Sequence, residues 1–263
     1  MCNRIFGSIP QSTATFLMAL NVADRAIWFT RSGQVEGVEG YNTPTLQSSE
    51  EHPPHTPEEL VYATLHRRLS RGNIMPRTQA SDGFDVHGVS AKSLNLSEQG
   101  SLFADKLKEF FGERVHKLSD VQIYTSTVPR CVQTAKVVHS RTQQWSALNM
   151  LDTGFLDGMD VKDISKKYSV EFDDFTRDPF HNRLPGGESF EDVVRRTEPF
   201  VIELERQTKP CLVVSHISVL RVLLGYFLEI PTDQLSTIDI PQHTLIQLVP
   251  SQYGWKETRI PFL

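Results

Sequence analysis

Three basic side chains each stand just past a short apolar run. Ala26-Ile-Trp-Phe-Thr30 runs into Arg31, Val121-Gln-Ile-Tyr-Thr125 leads five residues on to Arg130, and Cys211-Leu-Val-Val-Ser215 runs into His216. A guanidinium offers a planar fork of donors that fits two phosphate oxygens at once. A protonated imidazole adds a further donor. If the three runs are strands of one open α/β sheet, their carboxyl ends face the crevice where such sheets bind ligands, and the three groups converge on one anion. Ser32 follows Arg31 directly. With His216 as its base it could act as a nucleophile; the plainer alternative is a small polar residue that fills space.

The elements needed to position these groups are legible along the chain. A helix is expected over Ser97 to Phe111, capped by Ser97, with Leu102, Phe103, Leu107, Phe110 and Phe111 on one face. A second is expected from about Pro129 to Ser140. A third begins at the Ser189 cap, with Phe190, Val193, Val194, Phe200, Val201 and Leu204 inward and Pro199 kinking it. An apolar helix follows over about Ser218 to Leu228, and closing strands are expected at Thr244 to Val249 and Glu257 to Ile260. Strands alternating with helices predict a mainly parallel central sheet covered on both faces, an α/β fold.

The stretch from about 36 to 92 breaks this rhythm. It is rich in breakers, as in Glu50-Glu-His-Pro-Pro-His-Thr-Pro57, and only Pro57 to Leu69 could form a helix. It reads as an insertion, either functional or a tolerated surface excursion. The apolar Phe16-Leu-Met-Ala-Leu20 is expected to pack into the core rather than to act as a signal peptide.

Composition bounds the function. The 263 residues suit one large domain or two small ones; 39% hydrophobic and 22% charged residues describe an ordinary globular chain, and the net charge of -5 argues against general nucleic-acid binding. No run is long enough for a membrane span. Cys2, Cys131 and Cys211 are too few and too scattered for a disulfide framework or a zinc site. No metal or cofactor is expected, and the cytoplasm is the expected location.

Two segments carry a specific resemblance: Arg183-Leu-Pro-Gly-Gly-Glu-Ser-Phe-Glu-Asp through Glu205-Arg206, and Val213-Val-Ser-His-Ile-Ser-Val-Leu-Arg221 through Leu228. With Tyr124-Thr-Ser-Thr-Val-Pro-Arg-Cys-Val-Gln-Thr-Ala135, Trp145-Ser-Ala-Leu-Asn149 and Leu248-Val-Pro-Ser-Gln-Tyr-Gly254, they resemble the phosphatase domain of the bifunctional 6-phosphofructo-2-kinase/fructose-2,6-bisphosphatases, a branch of the histidine phosphatases. The resemblance runs from about Phe16 to Leu263, interrupted by the insertion. It implies a three-layer αβα, phosphoglycerate mutase-like fold, and a single phosphatase-like domain whose core is about 16–35 and 93–263. The kinase half is expected to be absent, since no Gly-x-x-x-x-Gly-Lys-Ser/Thr loop is found.

The resemblance also assigns roles. In that family a histidine takes the C2 phosphoryl group of fructose 2,6-bisphosphate, two arginines and a second histidine hold its oxygens, and a glutamate protonates the leaving sugar oxygen. Arg31 and Arg130 match the arginines, His216 the second histidine, and Arg183 and Arg221 arginines facing the sugar phosphate. Thr-Arg-Ser-Gly replaces Thr-Arg-His-Gly, so Ser32 stands at the nucleophile position. Leu148-Asn-Met-Leu-Asp-Thr-Gly154 replaces Leu-Asn-Glu-Ile-Asp-Ala-Gly, so Met150 stands at the general acid; Asp152 reads as structural and Asp157 as a weaker substitute. Gly186, Ile217, Val161 and, near the insertion, Val38 replace further polar residues of the substrate site.

Losing a general acid costs on the order of 10²–10⁴ in rate. Losing a covalent nucleophile costs roughly 10⁶ in the subtilisin precedent. The resemblance therefore implies a retained phosphate site with phosphatase activity weak or lost. The expected ligands are fructose 2,6-bisphosphate, fructose 6-phosphate or inorganic phosphate, with a separate kinase subunit as a candidate partner. An active sugar-phosphate phosphatase with an unconventional nucleophile, and a non-catalytic binding module, remain the alternatives.

Overall fold

The computed structural model describes residues 25–35, 95–114, 120–157, 159, 166–252 and 254–263. The 16–20 stretch, the 36–92 insertion with its expected helix, Val38 and Val161 lie outside them.

The apolar runs form strands β1 (Ile27–Arg31), β2 (Gln122–Thr125) and β4 (Cys211–Ser215), with β3 (Gln143–Gln144), β5 (Thr244–Ser251) and β6 (Gly254–Pro261) completing one sheet in the order β3-β2-β4-β1-β5-β6. β4 is central, parallel to β1 and β2, and every one of its residues is buried. A strand covered on both faces gains from a continuous apolar run, which explains Cys-Leu-Val-Val-Ser. β5 and β6 are antiparallel additions at one edge.

Alternation along the strands sorts the core into two layers. Ile27, Phe29, Tyr124, Cys211 and Val213 meet α4 (Phe190–Arg206) and α5 (Ile217–Phe227). Ala26, Trp28, Ile123, Leu212 and Val214 meet α1 (Glu98–Arg114) and α2 (Pro129–Val138). The expected three layers follow. α3 (Ser169–Arg177), which the sequence pattern did not reveal, adds Phe172 and Phe175 to the α4 side.

The caps fall where expected. The Ser97 hydroxyl accepts from Gly100 N–H at 3.2 Å, and Ser189 makes a capping box with Asp192. Two expectations change. Leu102 faces solvent, 48% exposed, because the inward stripe of α1 runs through Phe103, Ala104, Leu107, Phe110 and Phe111. α2 ends at Val138, two residues early. α4 runs through Pro199 as one helix.

Phe200 of α4 is fully buried and meets the rings of Tyr124 and Trp145 edge-on, at 5.2 and 5.4 Å between centroids. Truncating it deletes both contacts and leaves a cavity. Phe200→Ala is expected to lower unfolding stability by about 3–5 kcal/mol, read from urea denaturation.

Candidate functional site

Parallel registry sets three carboxyl ends side by side. Arg31 of β1 lies opposite Ser215 of β4, and Thr125 of β2 opposite Val214. The ladder continues one residue further on each side: Ser32 N–H donates to Ser215 C=O and Ser126 N–H to Val214 C=O, both at 3.3 Å. His216 therefore stands between Arg31-Ser32 on one flank and Ser126 on the other. α5 and α2 begin beside these ends, and the partial positive charge of their amino termini adds to that of the side chains.

All of the central groups are buried: Arg31 is 4% exposed, Ser32 1%, Arg130 2%, Met150 5% and His216 0%. The two edges of the His216 ring have different neighbours. Nδ1 lies 3.1 Å from Arg130 Nη2; Nε2 lies 3.0 Å from Ser126 Oγ and 3.5 Å from Cys131 Sγ. A guanidinium can only donate, so Nδ1 accepts and the proton resides on Nε2. In this arrangement Nε2 donates to Ser126 and has no lone pair with which to deprotonate a hydroxyl. This is the reverse of a nucleophile–base pair, in which the nitrogen nearest the hydroxyl must accept.

Met150 approaches the same nitrogen of Arg130, its Sδ 3.9 Å from Nη2. The thioether thus abuts a phosphate-clamping candidate. Its backbone is tightly held: Arg196 donates to the carbonyls of Ala147, Asn149 and Met150 at 2.6, 2.8 and 3.0 Å and pairs with Glu188 at 2.8 Å. Asp152 accepts from Gly154 N–H at 3.2 Å, the closing bond of a local turn. That supports its structural reading.

Arg31 Nη1 donates to Ile240 C=O at 3.2 Å, and Arg221 Nε donates to Ile238 C=O at 2.8 Å. The same segment sends Gln242 Nε2 to Ser32 C=O at 3.0 Å. One chain segment before β5 therefore ties Arg31, Ser32 and Arg221 together. Arg183 behaves differently: its side chain is 60% exposed and forks onto Asp192, with Nε to Oδ2 at 2.6 Å.

Sequence reasoning missed Ser126, the 238–242 segment and Arg196. Ser126 lies inside the quoted Thr125-Ser126-Thr127 stretch, and its signal was its place one residue past a strand end. The carbonyls of Ile238 and Ile240 leave no trace in residue type. Gly33 also has a positional reason: a Cβ there would come within 2.5 Å of the Gly100 carbonyl oxygen, so the chain leaving Ser32 passes hard against the first turn of α1.

Residues 88–261 match the model of the histidine phosphatase superfamily (branch 1), and the chain belongs to that superfamily. Among curated relatives, it is 36% identical over 206 residues to a Caenorhabditis elegans 6-phosphofructo-2-kinase/fructose-2,6-bisphosphatase, covering 78% of this chain and 44% of that one. It is 37% identical over 195 residues to a Saccharomyces cerevisiae fructose-2,6-bisphosphatase, covering 72% and 43%. The matched part is thus less than half the length of these relatives. Solved structures share the fold: the Shigella flexneri α-ribazole phosphatase at a TM-score of 0.62 and 16% identity, covering 90% of this chain and 96% of that one, and a mycobacterial glucosyl-3-phosphoglycerate phosphatase at 0.56 and 19%, covering 85% and 89%.

His243, absent from the sequence-based candidates, lies 5.0 Å from the Phe103 ring, and burial lowers its pKa from 6.5 to about 4, with the Arg31 charge adding. The unfolded chain then binds a proton that the folded one refuses. Stability is expected to be intact above about pH 6.5 and to fall by up to about 3 kcal/mol as pH drops to about 4. His243→Gln should remove that component of the loss in denaturant titrations run across this pH window.

Proposed function

We propose that this chain binds a phosphoryl group through Arg31, Arg130 and His216, and that its phosphatase chemistry is weak or lost. The ligand class is a phosphorylated sugar, with fructose 2,6-bisphosphate or fructose 6-phosphate first, or inorganic phosphate itself. Arg221 contributes to the sugar phosphate side in this reading, as does Arg183 once released from Asp192. The 263 residues constitute one such domain, and a separate kinase subunit is the partner that the relatives' bifunctional names suggest. Cys131 and Cys211, both thiols, fit a reducing compartment such as the cytoplasm.

One observation carries the reading. Arg130 Nη2 meets His216 Nδ1 at 3.1 Å, and its neighbour at the position this reading gives to the leaving group is the thioether of Met150, 3.9 Å away, which has no proton to give. Both ring nitrogens of His216 are engaged elsewhere, Nε2 with Ser126 and Nδ1 with Arg130, which supports the same view of Ser32.

Isothermal calorimetry and phosphate release measured on the same protein test this. Saturable binding of fructose 2,6-bisphosphate, with turnover far below about 1 per second, is the expected outcome. Arg130→Ala should abolish the binding. Turnover of about 1 per second or more, lost in Arg31→Ala, would overturn it. An acid quench adds a second readout: acid-labile protein phosphate indicates histidine, acid-stable phosphate indicates serine, and neither is expected.

Restoring the two replaced groups is the converse experiment. Ser32→His with Met150→Glu should raise phosphate release by at least about 10²-fold, the lower bound for regaining a general acid alone. A double variant that binds the sugar phosphate yet releases phosphate no faster than the parent would mean that something other than these two positions holds activity down.

A further inference from the structure

The imidazole of His216 faces the phosphate cup with the wrong hydrogen-bonding sense for an anion. Its Nδ1 edge, shared with Arg130, is an acceptor at 3.1 Å. Arg130 Nη2 is also 3.9 Å from Met150 Sδ, which places this edge toward the position that the resemblance gives to the leaving group. The Nε2 edge points the other way, at the fully buried Ser126 and Cys131. The Ser126 hydroxyl holds that edge, accepting from Nε2–H while Val128 N–H donates to the same oxygen at 3.3 Å.

A phosphoryl group brings acceptors only, and it competes with His216 for the donors of Arg130. Once Arg130 turns to the anion, the Nδ1 lone pair faces phosphoryl oxygens with nothing between them. Two adjacent acceptors are compatible only if a proton comes to lie between them. The surrounding charges give the same sign. The charged and titratable groups named around the ring are Arg130 and Cys131 of α2 and Arg31 of β1, whose Cα lies opposite that of the preceding Ser215. Arg221, five residues along α5, is the nearest on its own helix. Guanidinium charges oppose protonation of the ring, and a bound dianion reverses that balance.

We propose that this site takes up a phosphoryl dianion together with one proton, shared between His216 Nδ1 and a phosphoryl oxygen, with Ser126 as the positioning residue that keeps Nε2 out of the exchange. This deepens the phosphoryl-binding reading above and rests on it. The solvent supplies the proton and no covalent bond changes. Binding is then coupled to pH: affinity for the dianion weakens by up to about tenfold per unit as pH rises above the linked pKa. A site built only of guanidinium and backbone donors would show no such slope.

The test is calorimetry of fructose 6-phosphate, whose phosphoryl group at pH 8 is a dianion with no proton of its own, in two buffers of different ionisation enthalpy. The dependence of the observed heat on the buffer gives the number of protons exchanged. About one proton taken up per fructose 6-phosphate bound is expected for the parent protein and near zero for His216→Gln, whose amide donates without titrating. Nitrogen-15 spectra of the parent give an independent reading: Nδ1 unprotonated in the phosphate-free protein, and proton-bearing on saturation. Binding without proton uptake, or the same uptake in His216→Gln, overturns this inference and leaves phosphoryl binding standing. No binding of either fructose 6-phosphate or fructose 2,6-bisphosphate overturns both.

Discussion

Everything at this site follows from putting cations where water is scarce. Arg31 and Arg130 are almost completely buried, and burying an ion costs several kcal/mol unless hydrogen bonds replace its hydration. Two of those bonds come from neutral groups: the Ile240 carbonyl for Arg31 and the imidazole nitrogen of His216 for Arg130. Neutral acceptors satisfy donors without cancelling charge. The starts of α2 and α5 add partial positive charge beside them, which on the proposed reading favours an incoming anion. Had a carboxylate filled the place of Met150, it would have paired with Arg130 and competed with the ligand.

That contrast recasts the exchange of glutamate for methionine. On the proposed reading, methionine there offers neither the proton of a carboxylic acid, which the reaction needs, nor the charge of a carboxylate, which would oppose anion binding. An enzyme gains rate only from interactions stronger in the transition state than in the bound substrate. A cup that is more cationic yet lacks a nucleophile and an acid binds ground state and transition state alike. On the proposed reading, the same two positions that withhold turnover favour the site as a phosphate holder. Arg196 holds the backbone of this segment through three carbonyls, which fixes the shape of the wall independently of the side chain at Met150.

The sequence disclosed the strands and their cargo because burial on both faces demands continuous apolar runs, and a charged residue ending such a run is conspicuous. It disclosed α4 through its cap and stripe, all six expected inward residues being buried. α3 escaped notice because Ser-Val-Glu-Phe-Asp-Asp-Phe-Thr-Arg buries only Phe172, Phe175 and Thr176, too short a stripe to stand out. Leu102 was misplaced because helical spacing admits it as a neighbour of Phe103, and only the direction of the partner sheet decides between them. The site was legible as a set of residue types, whereas its protonation pattern was not. Which nitrogen of His216 carries the proton depends on Arg130 and Ser126, 86 and 90 residues away in sequence.

Registry is what turns these distant residues into neighbours, and it admits little error. Side chains alternate along a strand, so a one-residue slip of β4 against β2 would turn Val213 out of its layer and carry His216 away from Ser126 and Arg130. The ladder bonds that continue past the strands, Ser32 to Ser215 and Ser126 to Val214, fix the register at the position where it matters for the ligand. The segment before β5 adds a second constraint from the far side, because its carbonyls reach Arg31 and Arg221 while Gln242 returns a donor to the Ser32 carbonyl. Ser32 is thereby held by its backbone on both flanks, through Ser215 and Gln242. These bonds do not depend on the side chain, so on the proposed reading a serine at the nucleophile position leaves the geometry of the anion site in place.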